Sequence, residues 1–250
     1  MKLRVFTIFF MALLAMPAYA GESPAADTAA ISTSSSGQAD SEPAWDASLA
    51  KGMELLQAKQ PEAAIREAFD PVIAGFEEKY ASEKRRIYCA RTMAETLLYM
   101  AGAASNKQDA IALQPTWAYA WFMKAYAFNE LGRIDDAHSA LLKALELSPN
   151  NPQFLSELGY GYMVEHKWQD MLDTYTKAEA MVDIASPDDL KTEELTRALR
   201  GQGYALTEMG KYDEAEARYK KALQADPNDE KSKGELEYIT EKRNQAATQP

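Results

Sequence analysis

The chain has 250 residues, with 38 acidic against 27 basic side chains and a formal net charge of −11. A balance that negative repels phosphate backbones and argues against nucleic-acid binding. The single cysteine, Cys89, excludes an internal disulfide, so packing alone must hold the fold.

Residues 1–20 read as an export signal. Lys2 and Arg4 form a short basic start, Val5 to Met16 an apolar run, and Ala18-Tyr19-Ala20 a small-x-small cleavage site. The run is shorter than the roughly 20 apolar residues a bilayer span needs. Residue 21 is Gly rather than Cys, which argues against a lipoprotein. Without Lys2 and Arg4 the net charge falls from −11 to −13. The expectation is a periplasmic or secreted protein of a Gram-negative bacterium, with no membrane insertion after cleavage. In that oxidising setting a lone cysteine within a helical pattern is expected to be buried. Residues 21–44 are Ala, Ser, Thr, Gly, Asp, Glu and Pro with almost no bulky apolar side chains, the composition of a disordered linker.

From Trp45 onward, apolar residues recur at helical spacing, with Gly or Pro between the stretches. Two degenerate helical units are expected over 45–115. The first holds Gly52, Leu55, Ile65 and Ala68, with a kink or break of its second helix at Asp70-Pro71. In the second, Ile87, Ala90, Met93 and Ala94 lie on a first helix that runs on to about Ala104. The stretch Asp109-Ala110-Ile111-Ala112-Leu113-Gln114-Pro115 then reads as the unit's end.

Three clearer units follow, at 118–151, 152–185 and 196–229. Lys143-Ala144-Leu145-Glu146-Leu147-Ser148-Pro149-Asn150 recurs as Lys221-Ala222-Leu223-Gln224-Ala225-Asp226-Pro227-Asn228. Before these phrases stand Leu131-Gly132-Arg133 and Met209-Gly210-Lys211, each marking a turn between two helices. In the middle unit Met171 takes a place where a small residue is expected. Ser186-Pro187-Asp188-Asp189 predicts a helix start near Pro187, lengthening the first helix of the last unit. A capping helix is expected over 230–243 and a flexible tail over 244–250.

The alternation of large and small residues in residues 118–151, with Trp121 and Phe128 against Ala125, Ala137 and Ala144, resembles the tetratricopeptide repeat family. That resemblance implies an all-α, right-handed superhelical solenoid of antiparallel helix pairs. It also implies a non-enzymatic adaptor that binds a protein or peptide segment along the concave surface lined by first helices. Carried onto this chain, the inner positions are Tyr119, Phe122 and Tyr126; Gln153, Ser156 and Tyr160; and Arg197, Arg200 and Tyr204. Residues three or four apart share a helix face, so each triplet forms a strip.

Tyrosines at these places either line a groove or pack against the next repeat. The groove reading gains from Trp121 and Phe128 already filling the core face of their helix. Arg197 and Arg200 either receive the acidic end of a peptide, or are solvated or paired with Glu193 and Glu194. Where co-chaperone repeats carry Lys and Asn to clamp two carboxylates, this chain has Phe122 and Tyr126, so that clamp is absent as the family writes it.

Lys84, Arg85, Arg86 and Arg91 read as a solvated basic face beside Glu77, Glu78 and Glu83. His138 and His166 fall in different units, with no metal-ligand spacing and no nucleophile or phosphate-binding motif nearby, so neither a metal, a cofactor nor catalysis is expected. Two alternative roles remain. One is a homo-oligomer assembling through 45–115 by way of Leu97, Leu98, Tyr99 and Met100. The other is an accessory subunit of a cell-envelope enzyme.

Overall fold

A computed structural model describes residues 41–247; the expected export signal at 1–20, most of the linker and residues 248–250 lie outside that range. The described chain is nearly all helical. It opens with α1 (Ser41–Gln57), which takes in residues 41–44 of the expected linker. α1 packs against a second helix running from α2 (Pro61–Ala64) through a π turn (Ile65–Phe69) into α3 (Asp70–Lys79). Of the kink or break expected at Asp70-Pro71, no break occurs: the helix runs on through a local distortion. Pro71 has no N–H to donate and its ring crowds the preceding turn. The helix takes this up by widening just upstream, where the Asp70 N–H donates to the Ile65 carbonyl. Phe76 then stacks on Trp117 at a centroid distance of 5.3 Å and meets the tilted Trp45 ring at 4.1 Å.

The second degenerate unit is not a repeat. Arg86–Cys89 forms a strand, β1, paired in parallel with β2 (Ala110–Leu113), and α4 (Met93–Ser105) crosses between them. Arg86 lies opposite Ala110 and Cys89 opposite Leu113. Ile87 and Ala90 therefore sit on and just after a strand, while only Met93 and Ala94 are helical. Runs of only four residues fit either period, which is why spacing misassigned them. Pro115 starts the next helix instead of ending a repeat, and Thr92 caps α4 by accepting from the Glu95 N–H. Cys89 is fully buried in β1, and burial pushes its thiol up to about 12.

Three helix pairs complete the solenoid: α5 (Thr116–Glu130) with α6 (Ile134–Leu147), α7 (Pro152–Val164) with α8 (Trp168–Ala185), and α9 (Lys191–Glu208) with α10 (Tyr212–Ala225). α11 (Glu230–Ala247) covers the last pair with Ile239 and runs four residues past the expected cap. Gly132 and Gly210 make their turns with φ of +69° and +75°, and His166 takes the same left-handed conformation at the middle turn. α9 begins at Lys191, later than the Ser186-Pro187 signal predicts. Leu190 closes a separate turn onto the Pro187 carbonyl, and Ser186 instead ends α8.

Large and small residues interlock between the pairs. The Tyr175 ring, from α8, lies between Gly159 of α7 and Gly201 of α9. A Cβ on these glycines would come within 2.6 and 2.4 Å of the ring. Tyr219 meets Gly203 in the same way. Helix propensity alone would make Gly201→Ala stabilising by about 1 kcal/mol. Packing predicts the opposite sign, a loss of about 1–3 kcal/mol in urea unfolding, because the ring has no room to retreat. A gain in stability would show that the close approach does not govern this crossing.

Candidate functional site

α5, α7 and α9 lie side by side and carry the predicted inner positions. Phe154 of α7 stacks on Phe122 at 4.6 Å and meets the Tyr119 edge at 5.4 Å. Tyr119 and Phe122 are thus 7% and 4% exposed and belong to the core between repeats, not to an open groove. Apolar rings within reach of a neighbouring helix are driven together by the area they remove from water. Tyr126, Tyr160 and Tyr204 remain half-buried, one on each helix.

Glu157 links these helices. It accepts from Arg197 of α9, and its charge reaches the Tyr126 phenol on α5. Arg200 pairs with Asp229 at 2.9 Å, before α11. Both arginines are therefore matched by carboxylates, although not by the Glu193 and Glu194 named from sequence. Tyr126 donates to Glu130 at 3.4 Å, and its pKa is raised by burial and by Glu130 and Glu157. Burial and the charges of Glu208 and Glu235 raise that of Tyr204. Trp168 comes to 6.3 Å from Tyr204 across the α8–α9 pair. The strip is aromatic with acidic surroundings.

A second polar cluster is deeply buried. Arg91 makes a bidentate pair with Glu194, at 2.6 and 2.9 Å, with side-chain exposures of 3% and 7%. The Ser186 hydroxyl donates to the same carboxylate, and Arg91 also reaches the Tyr119 hydroxyl at 3.5 Å. Tyr119 in turn donates to Gln153 at 3.2 Å. Glu95 accepts from the Arg91 N–H and from the Tyr99 hydroxyl, each at 2.6 Å, and Tyr99 accepts from the Asn150 N–H. Arg91 is therefore no part of a solvated basic face. Of the remaining basic residues, Arg85 pairs with Glu83 and Arg86 with Glu146.

The profile of the tetratricopeptide repeat matches residues 118–151 and again 196–229. Both segments are tetratricopeptide repeats. No curated protein matches it. Among solved structures, PilF of Pseudomonas aeruginosa is similar at 18% identity and a TM-score of 0.54, over 82% of this chain and 71% of that one. A MamA double mutant (RS-1 ArsTM) is similar at 14% identity and a TM-score of 0.50, over 80% and 84%. The first repeat domain of Spaghetti (RPAP3), bound to an HSP90 peptide, is similar at 21% identity and a TM-score of 0.43, over 51% and 93%.

In this tetratricopeptide repeat protein, the β-α-β insert lies along the junctions between repeats. The Cys89 carbonyl accepts from Ser148 at 2.5 Å, Arg86 donates to the Glu146 carbonyl at 2.6 Å, and Thr92 donates to the Ile184 carbonyl at 2.5 Å. The sequence reading put Arg91 on a solvated face and Glu194 beside Arg197 and Arg200, and did not single out Glu95. No local signal marks an ion pair formed across 103 residues. Among the described residues, no three His, Cys, Asp or Glu side chains gather to hold a metal.

Breaking the buried pair leaves one charge without a partner, so Arg91→Met or Glu194→Gln alone should cost about 3–5 kcal/mol in urea unfolding. The double variant Arg91→Met/Glu194→Met should lose far less than the sum. Additive losses would mean that the two groups do not act as a pair.

Burial raises the pKa of Glu95 above its ordinary 4.5. A carboxyl raised in the folded state contributes stability that is complete below the unfolded pKa and is lost as pH rises through the folded value. Relative to Glu95→Gln, the wild type should therefore gain stability as pH falls from about 8 to about 4. A difference constant across that range would contradict the assignment.

Proposed function

We propose that this protein is a non-enzymatic scaffold that holds a protein segment against the strip formed by Tyr126, Tyr160 and Tyr204. The observation that carries the reading is the series of half-buried tyrosines, one on each of three adjacent helices, with carboxylates around them. Tyrosine supplies a large contact area and one hydrogen-bonding group at low entropic cost. The pairing of Arg197 and Arg200 turns the reading away from an acidic peptide end. Glu208 and Glu235, whose charges reach Tyr204, instead favour a segment with basic and apolar or aromatic side chains. A solenoid groove fitted to an extended segment gives affinity through a few anchors. The export signal at residues 1–20 supports a periplasmic adaptor, and no helix among the described residues is long and apolar enough to cross a membrane.

Tyr126→Ala together with Tyr160→Ala should weaken partner capture roughly tenfold or more while helicity is retained. Crosslinking in cells from position 126 or 160 identifies the partner, and a peptide library reads its chemistry. Capture at full strength by the double variant, or selection of acidic peptides, would place the binding surface elsewhere.

A further inference from the structure

The β-α-β insert leaves one helix face uncovered. Along α4, Glu95, Tyr99 and Ala103 point into the protein, while Met93, Ala94, Leu97, Ala101 and Ala104 form a continuous exposed stripe on the opposite side. Met93 is 74% and Leu97 64% exposed, and the stripe holds no charged or polar residue. Exposed helix faces of water-facing proteins are ordinarily polar. A stripe of this kind marks an interaction surface.

Two features select the occupant. The stripe is graded in size, with Met93 and Leu97 toward its N-terminal end and Ala101 and Ala104 toward its C-terminal end. An antiparallel copy of the same helix sets Met93 near Ala104 and Leu97 near Ala101, so that both large side chains meet small ones. That is the self-complementarity a two-fold interface requires.

The flanking charges repeat the pattern. The α4 N-terminus is bonded through Thr92 to the Ile184 carbonyl, in a stretch of chain that carries the exposed Asp183, Asp188 and Asp189 and in which Lys191 pairs with Asp188. Lys107 follows the α4 C-terminus. The Arg86 N–H donates to the Asp109 carbonyl at 2.8 Å, which brings Lys84, Arg85 and Arg86 to that same end, against Glu83, Asp109 and Glu146. One end is net acidic and the other net basic. Antiparallel pairing brings opposite signs together twice, and the two helix dipoles oppose favourably.

We infer that α4 is a homodimer interface in which a second copy of this chain packs antiparallel across the Met93–Ala104 stripe. This surface is separate from the tyrosine strip. It also corrects the interface expected from sequence: Tyr99 is 4% exposed and bonded to Glu95, Leu98 and Met100 are half-buried, and of those four residues Leu97 alone is fully on the stripe.

Sedimentation of the purified protein from low to high micromolar concentration should show reversible conversion from one chain to two. Leu97→Asp should weaken that association roughly tenfold or more, since its carboxylate would be buried without a partner. Leu97 is exposed in the single chain, so circular dichroism and tyrosine-dependent capture should not change. Lys107→Glu should weaken the dimer, and adding Asp188→Lys should restore it. A monomer at all concentrations overturns the assignment, as does a dimer indifferent to Leu97→Asp. A monomer that instead floats with anionic vesicles in a Leu97-dependent way assigns the face to lipid and also overturns it.

Discussion

The architecture depends on a guanidinium and a carboxylate that meet in a nearly dry place. Taking Arg91 and Glu194 out of water costs several kcal/mol per ion, and their attraction offsets that cost only with good geometry and further hydrogen bonds. Both conditions hold here, since the pair is bidentate and Ser186 adds a donor to the carboxylate. Arg91 follows β1, and Glu194 lies in the first turn of α9, so the geometry exists only when the insert is seated at the junction between the last two repeats. The insert's contacts at Ser148, Asn150 and Ile184 fix the same seat from other directions.

That seating changes the mechanics of the solenoid. Stacked repeats ordinarily touch only their neighbours, and their stability is close to a sum of local terms. Here one segment, residues 86–99, bonds to junctions at 146–150 and 184–194, tying together three successive helix pairs. Fraying of the middle pair therefore has to break contacts at both of its ends. The interlocking of Tyr175 between two glycines adds a steric constraint on the same crossing. A groove built on such a frame is preorganised, which lowers the ordering cost of binding an extended segment.

The inner face divides between rings buried in the core and rings left half-exposed. Tyr119 and Phe122 occupy inner positions by repeat phase, yet Phe154 from the next helix covers them. Tyr126, Tyr160 and Tyr204 lie further along their helices and keep part of each ring in solvent. The carboxylates around them give the strip its sign, and the two arginines are taken up in holding adjacent helices together.

Helix pairing over 116–229 was legible in the residues themselves. Left-handed glycines at 132 and 210, helix-ending prolines at 149 and 227, and alanines at the crossings are local requirements, each met by a residue type at fixed spacing. The phase of the inner strip follows from the same spacing. The strands at 86–89 and 110–113 were not legible, because four residues are too few to carry a period of their own and their pairing is settled by a partner 24 residues away. Nor could spacing separate the buried Tyr119 from the half-exposed Tyr126, since which ring is covered depends on where Phe154 arrives. Sequence determined the repeating unit, because a helix's needs are met within a few residues. Tertiary structure alone decided the burial of Arg91 and Glu194, because desolvation and charge pairing act between groups that the chain keeps far apart.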